Sequence, residues 1–426
     1  MGKHIYVPPA VADRQARLAA SRNLKMARSA HAYVRGNTVR FYQWLEAART
    51  GALPDGPPVW ICGDCHIGNL GPLADSHGDI AVQIRDFDQT VIGNPAHDLI
   101  RLGLSLATAA RGSDLPGIVT AKMLEQMMEG YRQAFADDAD QSPHAGLRPE
   151  CVQVVMRRAL RRSWKHLARE RIADTTPTIP LGQRFWPLSV EERDAITGLF
   201  ETEAVRRLLT LLRSREDDAP VEILDAAYWV KGCSSLGRLR FAVLAQVGDR
   251  KRGDRDVCLV DVKEAIKAAA PHDKAAHMPR DNAERVVTGA AHLSPHLGDR
   301  MRAAQLLDRS VFLRELRPQD LKLEIEQLTQ DEAMKAARYL AQVVGYAHAR
   351  QMDQATRRGW QREMARNRSK SLDAPSWLWT SIVELVASHE AGYLEHCRTY
   401  ALQAARDSEP ARKVGRPLVS LPRKGR

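Results

Sequence analysis

Residues 59–90 constrain this chain more than any other stretch. VWIC (59–62) is a short apolar run of the kind that forms a buried strand. It leads directly into GDCHIGNLG (63–71), and DSHGD (75–79) then supplies a turn before the return run IAVQI (80–84). RDFDQT (85–90) follows without a spacer. The pattern predicts a strand, a polar loop, a hairpin and a second polar loop. Asp64, Asn69, Asp86 and Asp88 ride on the two loops. Asp and Asn also cap ordinary turns, so any chemistry has to be argued from the combination.

The flanking pattern is helical. Before the loops, apolar residues recur at three and four (Val11, Leu18, Leu24, Met26, then Tyr33, Val34, Phe41, Leu45), and the breaker-rich GALPDGPP (51–58) closes that segment. From Asp98 to about Arg215 the pattern is helical again, with loops expected at 137–150 and 174–190. Near 220 the character changes. VEILDAAYWVKG, RLRFAVLAQV, CLVDVKEA and VFLRELR read as strands, with one helix around 281–292. Helices return over Thr329–Gln351 and 375–405. The expected organisation is an N-terminal helical segment (1–58), a loop-bearing helical body (59–215), a strand-rich unit (216–328), returning helices (329–405) and a disordered tail (406–426). The class is α+β.

Phosphoryl transfer needs a carboxylate to orient the attacking hydroxyl, oxygen ligands for magnesium and donors on the phosphates. Carboxylates and an amide oxygen suit hard magnesium. GDCHIGNL resembles the HGDxHxxN loop of aminoglycoside phosphotransferases and choline kinase-like enzymes. RDFDQT resembles their D-[FW]-[DE] metal loop, and GNPAHDLIRL resembles the segment with a buried Asp that follows it. The resemblance implies Asp64 as catalytic base, His66 as support for its loop, and Asn69 and Asp86 as magnesium ligands. Asp98 would tie down the catalytic loop. Asp88 is a further candidate for metal or substrate, or a loop cap.

In those enzymes the glycine-rich loop and its Lys precede the catalytic loop; here the candidates follow it. VKGCSSLGRLRF (230–241) reads as strand, glycine-flanked turn, strand. Gly232, Ser234, Ser235 and Gly237 could lay backbone N–H groups over phosphates, although a plain hairpin turn has the same pattern. Lys263 sits on the next strand, where V-A-I-K places its phosphate-pairing Lys. Glu284, on the following helix, is the nearest candidate for its ion-pair partner. VFLRELRPQD would receive adenine, and the helix ending GYAHARQ would be the one that normally runs into the catalytic loop. The implied fold is protein-kinase-like and two-lobed, circularly permuted, with a helix-rich large lobe and a small antiparallel-sheet lobe. Such a cut is tolerable where termini lie at exposed points. KMARSAHAYVRG, GDCHIGNLG, RDFDQT, VKEA, RVVTG and AHAR, in that order, resemble the landmarks of the bacterial family filed as domain of unknown function 2252. That resemblance implies a nucleotide site and supplies no substrate.

Other signals are weaker. GCSSLG is not a P-loop, because Arg238 and Leu239 stand where Lys and a hydroxyl are required and a strand follows the turn. Cys62-Gly-Asp-Cys65-His66 has the c-type haem spacing, but no second cysteine pair exists for zinc and no export signal precedes it. It reads as a buried strand–loop junction. The net charge of +11 includes +5 from residues 406–426, where KVGRP faintly resembles a minor-groove hook. A solvated tail is the plainer reading, and nucleic acid is not an expected partner. No apolar run reaches bilayer length, and the start lacks a secretory signal, so a cytoplasmic protein without membrane partners is expected. The expected function is ATP- and magnesium-dependent phosphotransfer to a small-molecule hydroxyl, with a protein acceptor left open. The alternative is a nucleotide-binding pseudokinase-type interaction module without turnover.

Overall fold

The computed structural model describes residues 7–48, 52–136, 148–161, 178–211, 215–233, 235–248, 256–321, 323, 329–365 and 374–401. Ser234 and the tail 406–426 lie outside them. The fold is mixed α and β, and its strand pairings are antiparallel.

The N-terminal apolar repeat forms three helices, α1 (Arg14–Met26), α2 (Ala30–Gly36) and α3 (Thr38–Ala47). Two side-chain caps make the breaks. Ser29 accepts from the Ala32 N–H and Asn37 from the Arg40 N–H, each satisfying a donor that a helix start leaves unpaired. Next come β1 (Val59–Ile61), the hairpin β2 (Leu70–Ala74) and β3 (Ile80–Ile84), and β4 (Val91–Gly93), which pairs back onto β1. The 75–79 turn falls where DSHGD places it: Asp75 accepts from the His77 and Asp79 N–H groups.

Helices α4 (Ala96–Gly112), α5 (Gly117–Gln133) and α6 (Glu150–Arg161) follow, then strand β5 (Phe185–Trp186) and helices α7 (Val190–Phe200) and α8 (Glu203–Thr210). The second half runs β6 (Val221–Trp229), β7 (Arg240–Val247), β8 (Asp256–Glu264), α9 (Asn282–Leu293), α10 (Pro295–Gly298), β9 (Met301–Leu306) and β10 (Arg309–Leu316). It closes with α11 (Gln330–Ala349), α12 (Gln354–Met364) and α13 (Ser376–His396). Six strands form one sheet in the order β5-β6-β7-β8-β10-β9.

Three short strands depart from the sequence expectation, the first being Val91–Gly93, which is a strand because β1 pairs with it. Phe185–Trp186 lies in the expected loop 174–190 yet forms a sheet edge, because Phe185 stacks on Trp229 and Trp186 on Tyr228. Met301–Leu306 carries no clear alternation and is a strand because β10 pairs with it along six residues.

The sheet's two faces divide by residue parity, as a pleated strand requires. Phe241, Val243, Ala245, Val260 and Val262 face one apolar cluster that also holds Ile196, Leu199 and Leu208. Ala242, Leu244, Leu259 and Leu316 face the other way. Farther along that second face the register aligns Arg240 with Lys263 and Arg314 with Asp261. One side of the sheet thus grades from apolar to charged. A separate, larger core surrounds α4, α5 and α11. No helix among the described residues is long and apolar enough to cross a membrane.

Candidate functional site

The loop after β1 is fixed from beneath by one carboxylate. Asp98, in the first turn of α4, is fully buried and accepts from the Cys62 N–H at 2.7 Å and the Gly63 N–H at 2.9 Å. His348 Nε2, from the last turn of α11, lies 3.2 Å from the same carboxylate. Behind it Tyr131 Oη meets His348 Nδ1 at 2.8 Å and accepts from Trp360 Nε1. Gln351, just past α11, brackets Trp60 by bonding both its N–H and its carbonyl. The GYAHARQ helix therefore docks on the strand that enters the loop. Gly63 has φ +76°, and a Cβ there would stand 2.2 Å from the Gln89 carbonyl oxygen. Position 63 needs glycine on both counts.

Asp64 follows. Arg101 Nε donates to its Oδ1 at 2.8 Å and Thr38 Oγ1 to its Oδ2 at 3.1 Å. Arg101 lies three residues after Asp98, so α4 presents both to the loop; it is fully buried and also donates to the Val34 carbonyl. Asn69 Nδ2 donates to the Asp64 carbonyl at 2.9 Å, which leaves the amide oxygen uncommitted. Gly68 makes room for the Arg35 guanidinium, which a Cβ would meet at 2.9 Å.

The second loop is tied to the first. The Arg85 N–H donates to the Asn69 carbonyl and Thr90 Oγ1 to the Ile61 carbonyl. Phe87 is buried in the core and anchors the loop between its two aspartates. Arg285, on α9, donates to the carbonyls of Thr90, Asp88 and Ile266. Gly289, one turn on, lets α9 approach, since a Cβ there would meet the Thr90 side chain at 2.5 Å.

Lys263 reaches this loop from β8. Its Nζ lies 2.6 Å from Asp88 Oδ1 and 3.4 Å from Asp86 Oδ1, and Arg238 Nη1 lies 3.0 Å from Asp88 Oδ2. Asp86 keeps 45% of its side chain exposed, whereas Asp88 keeps 10%. Beneath them Arg240 grips Asp261 through two nitrogens at 2.8 and 2.5 Å, with Arg314 3.6 Å away. Partial burial pushes the Asp86 carboxyl up, but Lys263, Arg240 and Arg314 together outweigh it and hold the group well below the usual carboxylate range. Burial, then the Asp86 charge, raises Asp88 against the pull of Lys263 and Arg238. Two adjacent carboxylates are thereby driven apart, an arrangement that favours distinct roles.

The remaining expected residues divide. Gly232 and Gly237 flank the β6–β7 turn with φ +93° and +100°. α1 pins both ends: Lys25 Nζ donates to the Gly232 carbonyl and Gln15 Nε2 to the Gly237 carbonyl. Ser235 is buried, with Oγ 3.4 Å from the Lys231 carbonyl. Glu284 is not brought to the site. It is exposed at the start of α9, and the carboxylate partners of Lys263 are Asp86 and Asp88. Arg285, the next residue, faces inward instead. His66 is buried, 3.9 Å from Asp64 Oδ2, and its Nδ1 has no hydrogen-bond partner among the described residues. Its carbonyl accepts from the Asn69 N–H within the loop. Cys62 and Cys65 are free and buried. The sequence reading missed Arg101, Arg238 and the Arg240–Asp261 pair. The signal for Arg101 was its i+3 spacing from Asp98.

Among the described residues, no three His, Cys, Asp or Glu side chains cluster as a metal cage. Magnesium does not need one; it is commonly held by one or two carboxylates with waters and substrate phosphates. The exposed Asp86 carboxylate and the uncommitted Asn69 oxygen fit that donor set.

The histidines predict a pH dependence. Burial, then Arg35 and Arg101, lowers His31 to about 4 and holds His66 well below its ordinary value. Burial brings His97 and His389 to about 4. The unfolded chain binds these protons near pH 6.5 and the fold does not, so stability falls as pH drops from 6.5 toward 4. Asp88 works in the opposite direction but is one group against four. The unfolding free energy from urea titration is expected to be lower at pH 5.0 than at pH 7.5 by on the order of 1 kcal/mol or more; a flat profile would contradict the neutral burial of these rings.

A family model described as an uncharacterized protein conserved in bacteria, DUF2252, matches residues 14–399. No curated protein and no solved structure matches the chain.

Proposed function

The chain belongs to this bacterial family, whose model spans nearly all of it, and from that premise we propose that it is an ATP- and magnesium-dependent phosphotransferase acting on a hydroxyl of a small molecule. One observation carries the reading: Lys263 meets Asp86 and Asp88 across about 175 residues of chain, beside the loop that bears Asp64 and Asn69. In this reading that contact draws the parts of a phosphoryl-transfer site (base, metal-binding oxygens, phosphate-pairing Lys) together from segments that are distant in sequence.

In this reading the protein is kinase-like and circularly permuted. β6 and β7 flank a glycine turn, Lys263 lies on the third strand, and α9 follows it, the succession that kinase phosphate sites use. The apolar patch of Ala242, Leu259 and Leu316 receives the adenine. Lys263 and Arg238 exchange Asp88 for phosphate oxygens when nucleotide enters. Asp86 and Asn69 hold magnesium, which neutralises charge on the phosphates. Asp64 accepts the proton of the acceptor hydroxyl and orients it for in-line attack. The grip of Arg101 and Thr38 on Asp64 favours the second reading, a module that binds nucleotide without turnover.

Thermal unfolding with ATP, with and without magnesium, tests the site. A ligand at about 100 times its Kd stabilises the fold by about 2.7 kcal/mol, a rise of several degrees in Tm. The rise is expected to require magnesium and to vanish in Asp86→Ala. No rise at millimolar ATP would remove the nucleotide site and both readings with it. Tight binding with no transfer to any acceptor would leave the second.

A further inference from the structure

Beside the glycine turn, α1, β5 and the end of β6 line a cavity of about 630 Å³ that reaches Gly232, within the usual range for small-molecule sites. Its wall is cationic. Arg17, Ser21, Lys25 and Arg28 recur at helical spacing along α1 and its C-terminal end, and Arg184 and Lys231 face them from the sheet edge. No Asp or Glu lines the cavity among the described residues. Among the described residues, the guanidinium groups of Arg17, Arg28 and Arg184 line the cavity without a hydrogen bond or ion pair. Arg14, one turn before Arg17 on the same face of the helix, is buried and paired with Glu192 at 2.6 Å. Arg17, Arg28 and Arg184 lie close together with no acid among the described lining residues, and like charges so placed create a local potential that draws anions.

The aromatic residues narrow the ligand class. Trp229 stacks on Phe185 at 5.7 Å and carries the Lys231 ammonium 3.9 Å from its ring centre; Trp186 stacks on Tyr228. All three lining rings, Phe185, Trp186 and Trp229, are almost fully buried. They form walls rather than open platforms for bases, and stacking platforms are what single-stranded nucleic acid uses. The cations also converge on one hollow instead of tracking along a groove.

We propose that this cavity, which adjoins the glycine turn at Gly232 and does not draw on Lys263, is a second ligand site that binds a compact, multiply charged phosphate anion, either free polyphosphate or the phosphate tail of a nucleotide. Arg17, Arg28 and Arg184 supply planar donor forks matched to phosphate oxygens. Lys25 already gives one N–H to the Gly232 carbonyl and keeps two for the ligand. The site therefore touches the residue that anchors the glycine turn.

The test is calorimetric titration of the full chain with inorganic tripolyphosphate, without magnesium and at constant ionic strength. Arg28→Ser/Arg184→Ser removes two exposed, unpaired side chains and leaves the fold intact. It is expected to weaken binding at least 10-fold, while Lys263→Ala changes it by less than about twofold. ATP without magnesium separates the sources. Equal affinity for ATP and tripolyphosphate identifies free polyphosphate chemistry, and ATP more than 10-fold tighter identifies a nucleotide tail; either supports the site provided the double variant abolishes it. The proposal is overturned if no saturable heat is seen, if sulfate at equal ionic strength competes fully, if Lys263→Ala rather than the double variant removes binding, or if a short RNA displaces tripolyphosphate and binds more tightly.

Discussion

Asp64→Asn is expected to lower phosphoryl transfer by about 10²–10⁴-fold, the range that a positioned general base contributes, while magnesium-dependent nucleotide binding persists. The amide retains the shape and cannot take the proton. The substitution has a second effect. Arg101 is fully buried and its Nε donates to Asp64, so the neutral variant leaves a buried cation without its anion, at a cost of about 3–5 kcal/mol if nothing relaxes. Folding must therefore be measured beside turnover. Asp64→Asn/Arg101→Met removes both charges, and replacing a buried pair by apolar volume is often neutral or stabilising. The double variant is expected to regain stability and to stay inactive. Transfer at the wild-type rate in a folded Asp64→Asn protein would take the base role from Asp64. Loss of nucleotide binding with the fold intact would make Asp64 a ligand-holding residue instead.

The second large effect is on stability. Asp98→Ala is expected to destabilise the protein by about 3–5 kcal/mol, because it strands the N–H groups of Cys62 and Gly63 and one nitrogen of His348 in a dry interior. Asp98→Asn retains one acceptor oxygen and turns an amide N–H₂ toward existing donors, so an intermediate loss is expected. Urea unfolding of the three proteins checks the order. If Asp98→Ala cost less than about 1 kcal/mol, the Asp98 carboxylate would not be what holds the Asp64 loop, and the β1–β4 pairing would have to suffice.

Much of this architecture is legible because its signals are short-range. The 75–79 turn between two apolar runs fixed the hairpin, and its ends set where the loops bearing Asp64, Asn69 and Asp86 begin. CLVDVKEA was readable as a strand carrying Lys263, although Asp261 on the same face was not used. The i+3 spacing of Asp98 and Arg101 was equally readable, although only Asp98 was used. The strands Phe185–Trp186 and Met301–Leu306 were not legible. A short segment becomes a strand only if a partner lies beside it, and those partners, Tyr228–Trp229 and β10, are fixed by the fold.

The choice of charge partners separates the two kinds of information most clearly. Glu284 and Arg285 are adjacent polar residues at a helix start, and a rotation of about 100° per residue sends one to solvent and the other onto the loop of Asp88. The sequence by itself determined the hairpin, the longer strand segments, the residue types on each loop and most of the helices, though not Gln354–Met364, since backbone preference and periodicity act over a few residues. Only the tertiary structure decided that Lys263 faces Asp86 and Asp88 rather than Glu284, that Arg101 holds Asp64, and that α1 lies over the glycine turn. Those contacts join residues up to about two hundred positions apart, and their geometry depends on how the whole core packs.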